Sequence, residues 1–279
     1  MPELPEVETI KNAIEKAIKQ ATITDVLVRN PNFREKTQED FAQKIKGAKI
    51  ISYQRFAKYI LISLSNNYSL IWHLGMSGRV KIYDKRPENL EKYDHIIIET
   101  TNGVLVYQDA RRFGLLIYVQ TEDILQNKLL KNLGIDPFDK ELNGKYLHER
   151  LQKKQISIKI SLLDQTIING IGNIYASEIL FLAKILPTRK SNEINLKECE
   201  SIVEATRIVL TKAIEAGGST LKDYQKPDGS LGYFQNSHCV YNKTGQRCEN
   251  CSCNIKVTGG IKKIVQAGRS TFYCPIKQK

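Results

Sequence analysis

Residues 95–107 read HIIIETTNGVLVY. Two apolar, β-branched runs, His95 to Thr100 and Val104 to Tyr107, flank Asn102-Gly103, a dipeptide that signals a tight β-hairpin. Similar short runs occur on both sides: Ile50-Ile51, Tyr59 to Leu64, Ser69 to His73, Val80 to Tyr83 and Leu115 to Val119. Their spacing makes residues 22 to 120 a β-rich region of the sandwich or barrel kind. A helix over 4–20 precedes it. There Val7, Ile10, Ile14, Ala17 and Ile18 share one face, Glu8, Lys11, Glu15 and Lys19 the other, and Pro5 sits in the first turn. From 122 the period becomes helical, over Ile124 to Leu133, Gly144 to Leu151, Tyr175 to Ala183 and Lys197 to Ala216, the last closed by Gly217-Gly218. The expectation is an α+β protein in three parts. These are a β-sandwich with flanking helices at 1–121, a helical domain at 122–236, and a small cysteine-bearing unit at 237–279.

Lysine and arginine outnumber acids by 42 to 30 over 279 residues, for a net charge of +12. Such an excess points to a polyanion, either nucleic acid or an acidic membrane surface. No apolar run approaches a membrane span, and the acidic, amphipathic start suits neither a secretory signal nor a transit peptide. Nucleic acid is therefore the expected partner. A monomer in the bacterial cytoplasm, associated with the nucleoid, is the expected setting. Of six cysteines, Cys199 stands apart and Cys239, Cys248, Cys251, Cys253 and Cys274 crowd the C-terminal end. Clustered cysteines in a reducing compartment suggest metal before disulfides.

Several motifs carry possible chemistry. The chain opens Met1-Pro2-Glu3-Leu4-Pro5-Glu6. Removal of Met1 exposes a secondary amine, and an α-amino group ionises at about 7.7–8.0, so part of it is free base near neutrality. Such an amine can attack a sugar C1′ and expel a base, with Glu3 moving protons. Acids at a helix N-terminus equally suit its dipole. Lys58, at the start of an apolar strand, can bind phosphate or donate a proton, or simply be a solvated edge lysine. His73-Leu74-Gly75-Met76-Ser77-Gly78 offers Met76 either as a wedge between bases or as a core residue. In Asp109-Ala110-Arg111-Arg112-Phe113-Gly114, arginine beside an aromatic suits the gap left by an extruded base, or a plain strand end. Gly170-Ile171-Gly172-Asn173 opens a helix and can seat a phosphate, or form a tight turn. The third glycine and βαβ setting of a Rossmann site are missing. Cys248-x-x-Cys251 with Cys274 looks like most of a zinc ribbon, with Cys253 the nearest fourth thiolate and Arg269 in a turn between them. The other reading is a hairpin without metal.

Taken in order, MPELPEVE at 1, AKYIL around 58, HLGMSG at 73, DARRFG at 109 and LLDQTIINGIGNIYASEILF at 162 resemble the formamidopyrimidine-DNA glycosylase family. So do GGSTLKDY at 217, DGSLGYFQ at 228, VYNKTGQRC at 240 and GRSTFYCP at 268. The resemblance spans the chain. It implies a β-sandwich, a helix–two-turn–helix domain and a zinc-finger-like hairpin holding one structural Zn2+. It implies excision of oxidised purines, 8-oxoguanine and formamidopyrimidines, from double-stranded DNA, then β,δ-elimination at the abasic site. On that resemblance Pro2 is the Schiff-base nucleophile, Glu3 the proton donor, Lys58 the aid to β-elimination and Arg269 the aid to δ-elimination. Met76, Arg111 and Phe113 fill the gap in the duplex, Lys154 and Asn173 contact the DNA backbone, and 220–235 closes over the flipped base. Three departures stand out. Lys277 replaces the last cysteine of the second Cys-x-x-Cys pair. The stretch from Cys251 to Cys274 is longer than the family's by about six residues. Tyr93 stands where a DNA-contacting histidine is usual, with His95 close by as its functional equivalent, so both are expected to contact DNA. The rival readings are an endonuclease VIII-like enzyme for oxidised pyrimidines, a non-catalytic damaged-DNA-binding protein and a zinc-ribbon RNA-binding factor.

Overall fold

The computed structural model describes all residues except 220–226, 228, 231, 250, 252 and 253. The chain divides into two compact units, Met1–Asn132 with Ile214–Gln235, and Leu133–Ala213 with Asn236–Lys279.

The first unit opens with helix α1 (Leu4–Ile18), followed by β1 (Ile23–Val28), the short helix α2 (Phe41–Ile45) and strands β2 (Ile50–Phe56), β3 (Tyr59–Leu64), β4 (Tyr68–His73), β5 (Gly78–Tyr83), β6 (Asp94–Thr100), β7 (Gly103–Asp109) and β8 (Leu115–Gln120). They form two antiparallel four-stranded sheets, ordered β1-β6-β7-β5 and β2-β3-β4-β8. Alternation decides which faces are buried. Ile60, Ile62 and Leu64 of β3, Leu70 and Trp72 of β4, Ile96 and Ile98 of β6, and Leu105 and Tyr107 of β7 meet in one core. Their neighbours Ile97, Val104 and Val106 form a smaller cluster on the other side of the sheet. Helix α1 contacts β2 and β3 of one sheet and β5 and β7 of the other, and buries Val7, Ile10, Ile14 and Ile18 in the shared core.

The hairpin at Asn102-Gly103 forms one residue out of the expected register. Thr101 and Asn102 make the turn, and Gly103 already pairs with Thr100. Thr100 Oγ1 donates to the Gly103 carbonyl at 2.7 Å and accepts from the Gly103 N–H at 3.2 Å, so the threonine side chain closes the turn. The helix expected over Ile124 to Leu133 is absent. A 3-10 helix over Thr121–Gln126 stands there, followed by turns. Only Leu130 of that stretch is buried, so no apolar face repays helix formation.

The second unit contains α3 (Gly144–Leu151), α4 (Ile158–Leu162), α5 (Asn173–Leu182), most of α6 (Leu196–Glu215), α7 (Ile255–Thr258) and the hairpin β9 (Lys262–Gln266) and β10 (Arg269–Tyr273). Among the described residues no helix is long and apolar enough to cross a membrane.

Candidate active site and nucleic-acid interface

The first unit presents the N-terminal residues in a fixed setting. Met1 is half exposed, whereas Pro2, Glu3 and Glu6 are buried. Glu3 caps α1 and forms a reciprocal box with Glu6, the Glu3 N–H donating to Glu6 Oε2 at 2.8 Å. The other oxygen of Glu6 accepts the Ser219 N–H at 2.8 Å, which ties α1 to the chain just beyond α6. Gly218 lies beside it at φ +79°. A Cβ there would come within 2.8 Å of the Glu6 carboxylate, so glycine meets both a conformational and a steric need.

Lys58 is buried in the two-residue turn joining β2 to β3. Its neighbour Ala57 adopts φ 54°, a left-handed conformation costly for a residue with a Cβ. Arg55 links this turn to α1. Its Nε donates to Glu8 Oε2 at 2.9 Å and its Nη1 to the Ala57 carbonyl at 3.2 Å. The helix bearing Pro2 and the hairpin bearing Lys58 are thus joined by a mostly buried ion pair.

Met76 is 38 % exposed and Phe113 46 %. Arg111 is exposed, with its guanidinium carbon 4.8 Å from the Phe113 ring centre. The two loops carrying them adjoin, because a Cβ on Gly75 would lie 2.4 Å from the Gly114 nitrogen. Tyr93 is 40 % exposed with Lys92 over its ring. His95 is buried, edge-on to Phe33, with Nε2 2.9 Å from the Asp109 carbonyl. Of the two, only Tyr93 presents its ring to solvent.

In the second unit Asn173 begins α5. Its Oδ1 accepts from Lys159 Nζ at 2.5 Å and its Nδ2 donates to the Ser270 carbonyl at 2.9 Å. Lys159 does not stand out in the sequence, where Ile158-Lys159-Ile160 looks like a lysine between apolar residues. It is fully buried. The signal that could have found it is that a buried ammonium needs a partner, and the glycine-flanked Asn173 supplies one. Lys154 is half-buried and pairs with Asp164 at 2.8 Å. Arg269 is exposed and opens β10 immediately after the turn Ala267-Gly268, whose φ values are 46° and 72°. Two left-handed residues in a two-residue loop match the twist of a hairpin.

Cys248, Cys251 and Cys274 place their sulfurs within 4.8 Å of one another, with Cys248 to Cys274 at 3.1 Å and Cys251 to Cys274 at 3.7 Å. A tetrahedral zinc with sulfurs at about 2.3 Å separates them by about 3.8 Å, so this cluster fits a thiolate-bound ion. A disulfide, at about 2.05 Å, is excluded by these separations. Lys277 donates its backbone N–H to Cys274 Sγ at 3.4 Å and lays its ammonium 4.3 Å over the Phe181 ring. Cys253 and most of the expected lesion loop at 220–235 lie outside the described residues.

Two family models match the chain. The one described as Formamidopyrimidine-DNA glycosylase N-terminal domain matches residues 1–116, and that of the H2TH domain of the same enzyme matches 133–225. The formamidopyrimidine-DNA glycosylase of Rickettsia africae is 43 % identical over 98 % of both chains, and that of Rhodospirillum rubrum is 40 % identical over 100 % of both. Crystal structures of Lactococcus lactis Fpg, one of a point mutant with Fapy-dG DNA and one of the enzyme with abasic-site DNA, superpose with a TM-score of 0.89 at 34 % identity, covering at least 99 % of both chains.

One titration in this region is predictable. His73 accepts the Gly75 N–H on Nδ1 at 3.0 Å, so it is neutral with its proton on Nε2. Burial, reinforced by the Arg34 and Lys58 charges, pushes it down to about 3. The unfolded imidazole ionises at about 6.5. Between those values the unfolded chain binds a proton that the folded chain refuses. The stability this group contributes is therefore complete above about 6.5 and falls as the pH drops toward 3, by up to about 1.4 kcal/mol per pH unit. Urea unfolding from pH 7 to pH 4 is expected to give a flatter profile for His73→Gln than for the parent chain. Parallel profiles would remove His73 from this role.

Proposed function

The chain belongs to the formamidopyrimidine-DNA glycosylase family, and from that premise we propose that it excises oxidised purines from duplex DNA and then cleaves the abasic site. The observation that carries this reading is the buried, doubly anchored setting of Pro2 and Glu3 at the head of α1. Once Met1 is removed, the Pro2 nitrogen lone pair bonds to C1′ of the damaged nucleotide. The glycosidic bond breaks, and the base leaves with its electrons and gains a proton. Glu3 gives a proton to the ring oxygen as the sugar opens, leaving a positively charged Schiff base. Lys58 assists loss of the 3′ phosphate and Arg269 loss of the 5′ phosphate.

Met76, Arg111 and Phe113 occupy the space of the extruded nucleotide, offsetting a few kcal/mol of lost stacking and pairing. Tyr93, Lys154 and Asn173 bind the backbone, with Lys159 holding the Asn173 amide. The burial of His95 suits support of the Asp109 loop rather than contact with phosphate. Cys248, Cys251 and Cys274, with Cys253 as the fourth ligand, would hold a structural zinc, which would stiffen the hairpin behind Arg269. The functional division is 1–121 for chemistry, 122–236 for DNA binding and 237–279 for the finger. The net charge of +12 favours a polyanionic partner such as bacterial nucleoid DNA, on which the chain is proposed to act as a monomer in the cytoplasm.

Borohydride trapping on an 8-oxoguanine duplex is expected to give a covalent complex whose sugar adduct lies on Pro2. Pro2→Gly keeps only a primary amine, so it is expected to trap far more slowly while retaining most duplex affinity. Unimpaired trapping by that variant, or an adduct on a lysine, would overturn the assignment. A second reading, oxidised pyrimidines, draws on a Lactococcus lactis Fpg structure that contains oxidised-pyrimidine DNA. Faster release of 8-oxoguanine than of thymine glycol is expected from matched duplexes, and the reverse order would favour the pyrimidine reading. Metal analysis of purified protein is expected to find one zinc per chain. Cys274→Ser is expected to lose it, and full retention by that variant would exclude the cluster as the site.

A further inference from the structure

Two loops at one end of the sandwich carry the exposed tips. The loop from His73 to Gly78 crosses from β4 in one sheet to β5 in the other, and the loop from Asp109 to Leu115 crosses back from β7 to β8. Because β5 pairs with β7 and β4 with β8, the loops leave side by side, with Gly78 opposite Asp109 and His73 opposite Leu115.

We propose that Asp109 is the positioning residue that locks these loops into one wedge, so that Met76, Arg111 and Phe113 act on the duplex together. Asp109 is fully buried. Its Oδ1 accepts from Ser77 Oγ of the first loop at 2.6 Å and from the Arg111 N–H of the second at 3.3 Å. Its Oδ2 accepts from the Gly114 N–H at 2.9 Å, and Tyr107 Oη lies 3.5 Å away. Ser77 Oγ in turn accepts from the Arg111 N–H at 3.1 Å, which closes a ring across the loops. The backbone of Asp109 extends the same unit. Its N–H donates to the Tyr93 carbonyl at 3.2 Å, its carbonyl accepts from the Arg112 N–H at 3.2 Å, and His95 Nε2 faces that carbonyl.

One buried carboxylate therefore reaches Ser77 next to Met76, Arg111 itself and Gly114 next to Phe113, while the Asp109 backbone N–H holds the Tyr93 carbonyl. A carboxylate has acceptors only, and every group aimed at it here is a donor, so an amide of the same shape cannot replace it. If the tips were loosely held, inserting them would require ordering two loops during base extrusion, and small displacements of such groups cost rate steeply.

This inference rests on the DNA reading proposed above, and the test separates the two. Asp109→Asn is expected to slow single-turnover excision of 8-oxoguanine from a duplex by about tenfold or more. Trapping at a preformed abasic site in a single strand, where no extrusion is needed, is expected to stay near the parent value. With 2-aminopurine opposite the lesion, the fluorescence change on binding is expected to shrink. Ser77→Ala removes one tie and is expected to show the same split more weakly, which keeps the test available if Asp109→Asn fails to fold. Phe113→Ala is the control. If Phe113→Ala loses duplex excision while Asp109→Asn and Ser77→Ala keep both excision and fluorescence, the locking role is overturned. If Phe113→Ala changes nothing, the tips do not enter the duplex, and the inference falls with that reading.

Discussion

The Glu6 carboxylate is the interaction on which the N-terminal arrangement depends. Chain ends fray unless something holds them, and a frayed amine has no defined approach to a sugar carbon. Burying a carboxylate is costly unless its oxygens are satisfied, and here one takes the Glu3 N–H and the other the Ser219 N–H. The same charge sits at the positive end of α1. The apolar stripe Val7, Ile10, Ile14 and Ile18 fixes the helix in the core, and Glu6 fixes the residues ahead of it. Packing sets the helix axis, and the carboxylate sets the register of the terminus.

Among the described residues, three of the seven left-handed residues with a Cβ lie beside candidate site residues. Ala57 precedes Lys58, Arg112 lies between Arg111 and Phe113, and Ala267 opens the turn ahead of Arg269, and all three have positive φ. Left-handed residues with a Cβ persist only where surrounding structure holds them. The holding groups are identifiable at two of these sites. Arg55 binds the Ala57 carbonyl, and the Asp109 carbonyl accepts the Arg112 N–H. Two of these turns leave a cationic or aromatic side chain exposed at a strand end, Arg111 with Phe113 and Arg269, whereas Lys58 is buried beside the strained Ala57.

The sandwich was largely legible because strands announce themselves by alternation and turn residues. The limits of β3 agree residue for residue with the sequence reading, and those of most other strands fall within two residues. Strand β1 is not legible in the sequence, since Thr24 and Asp25 break its apolar pattern, and only Ile23 and Val26 are buried. The short helices α2 and α4 span too few turns to show a period. Motifs were legible for the same local reason, whereas relations between distant segments were not. Nothing in the spacing of Ser77 and Asp109, or of Glu6 and Ser219, says that they touch. Lys159 is not legible because lysine by type belongs on the surface, and only the fold supplies the Asn173 oxygen that permits its burial.

The cysteine-bearing hairpin raises a question of rigidity that its own strands cannot answer. A two-stranded hairpin is marginal in water, and β9 alternates half-buried and exposed residues with Val265 largely exposed. Its support comes from beneath. Phe181, Val240, Ile261 and Phe272 pack with Cys248 and Cys274 in one small core. Glu178 of α5 is buried, and its carboxylate accepts three successive N–H groups from Cys239, Val240 and Tyr241. Burial pushes that carboxyl upward, and the three donors oppose the shift. Gln266, the last residue before the turn, donates to Ser157 Oγ and to the Pro187 carbonyl. These contacts fix the strands, while Asn173 holds the Ser270 carbonyl next to Arg269. The thiolate cluster lies at the opposite end of β10, after Tyr273. The small apolar core supports the base of the hairpin and the hydrogen bonds of Gln266 and Asn173 hold its tip, so a charged side chain on a thin element keeps one direction; a metal held by the cysteine cluster would stiffen the base further.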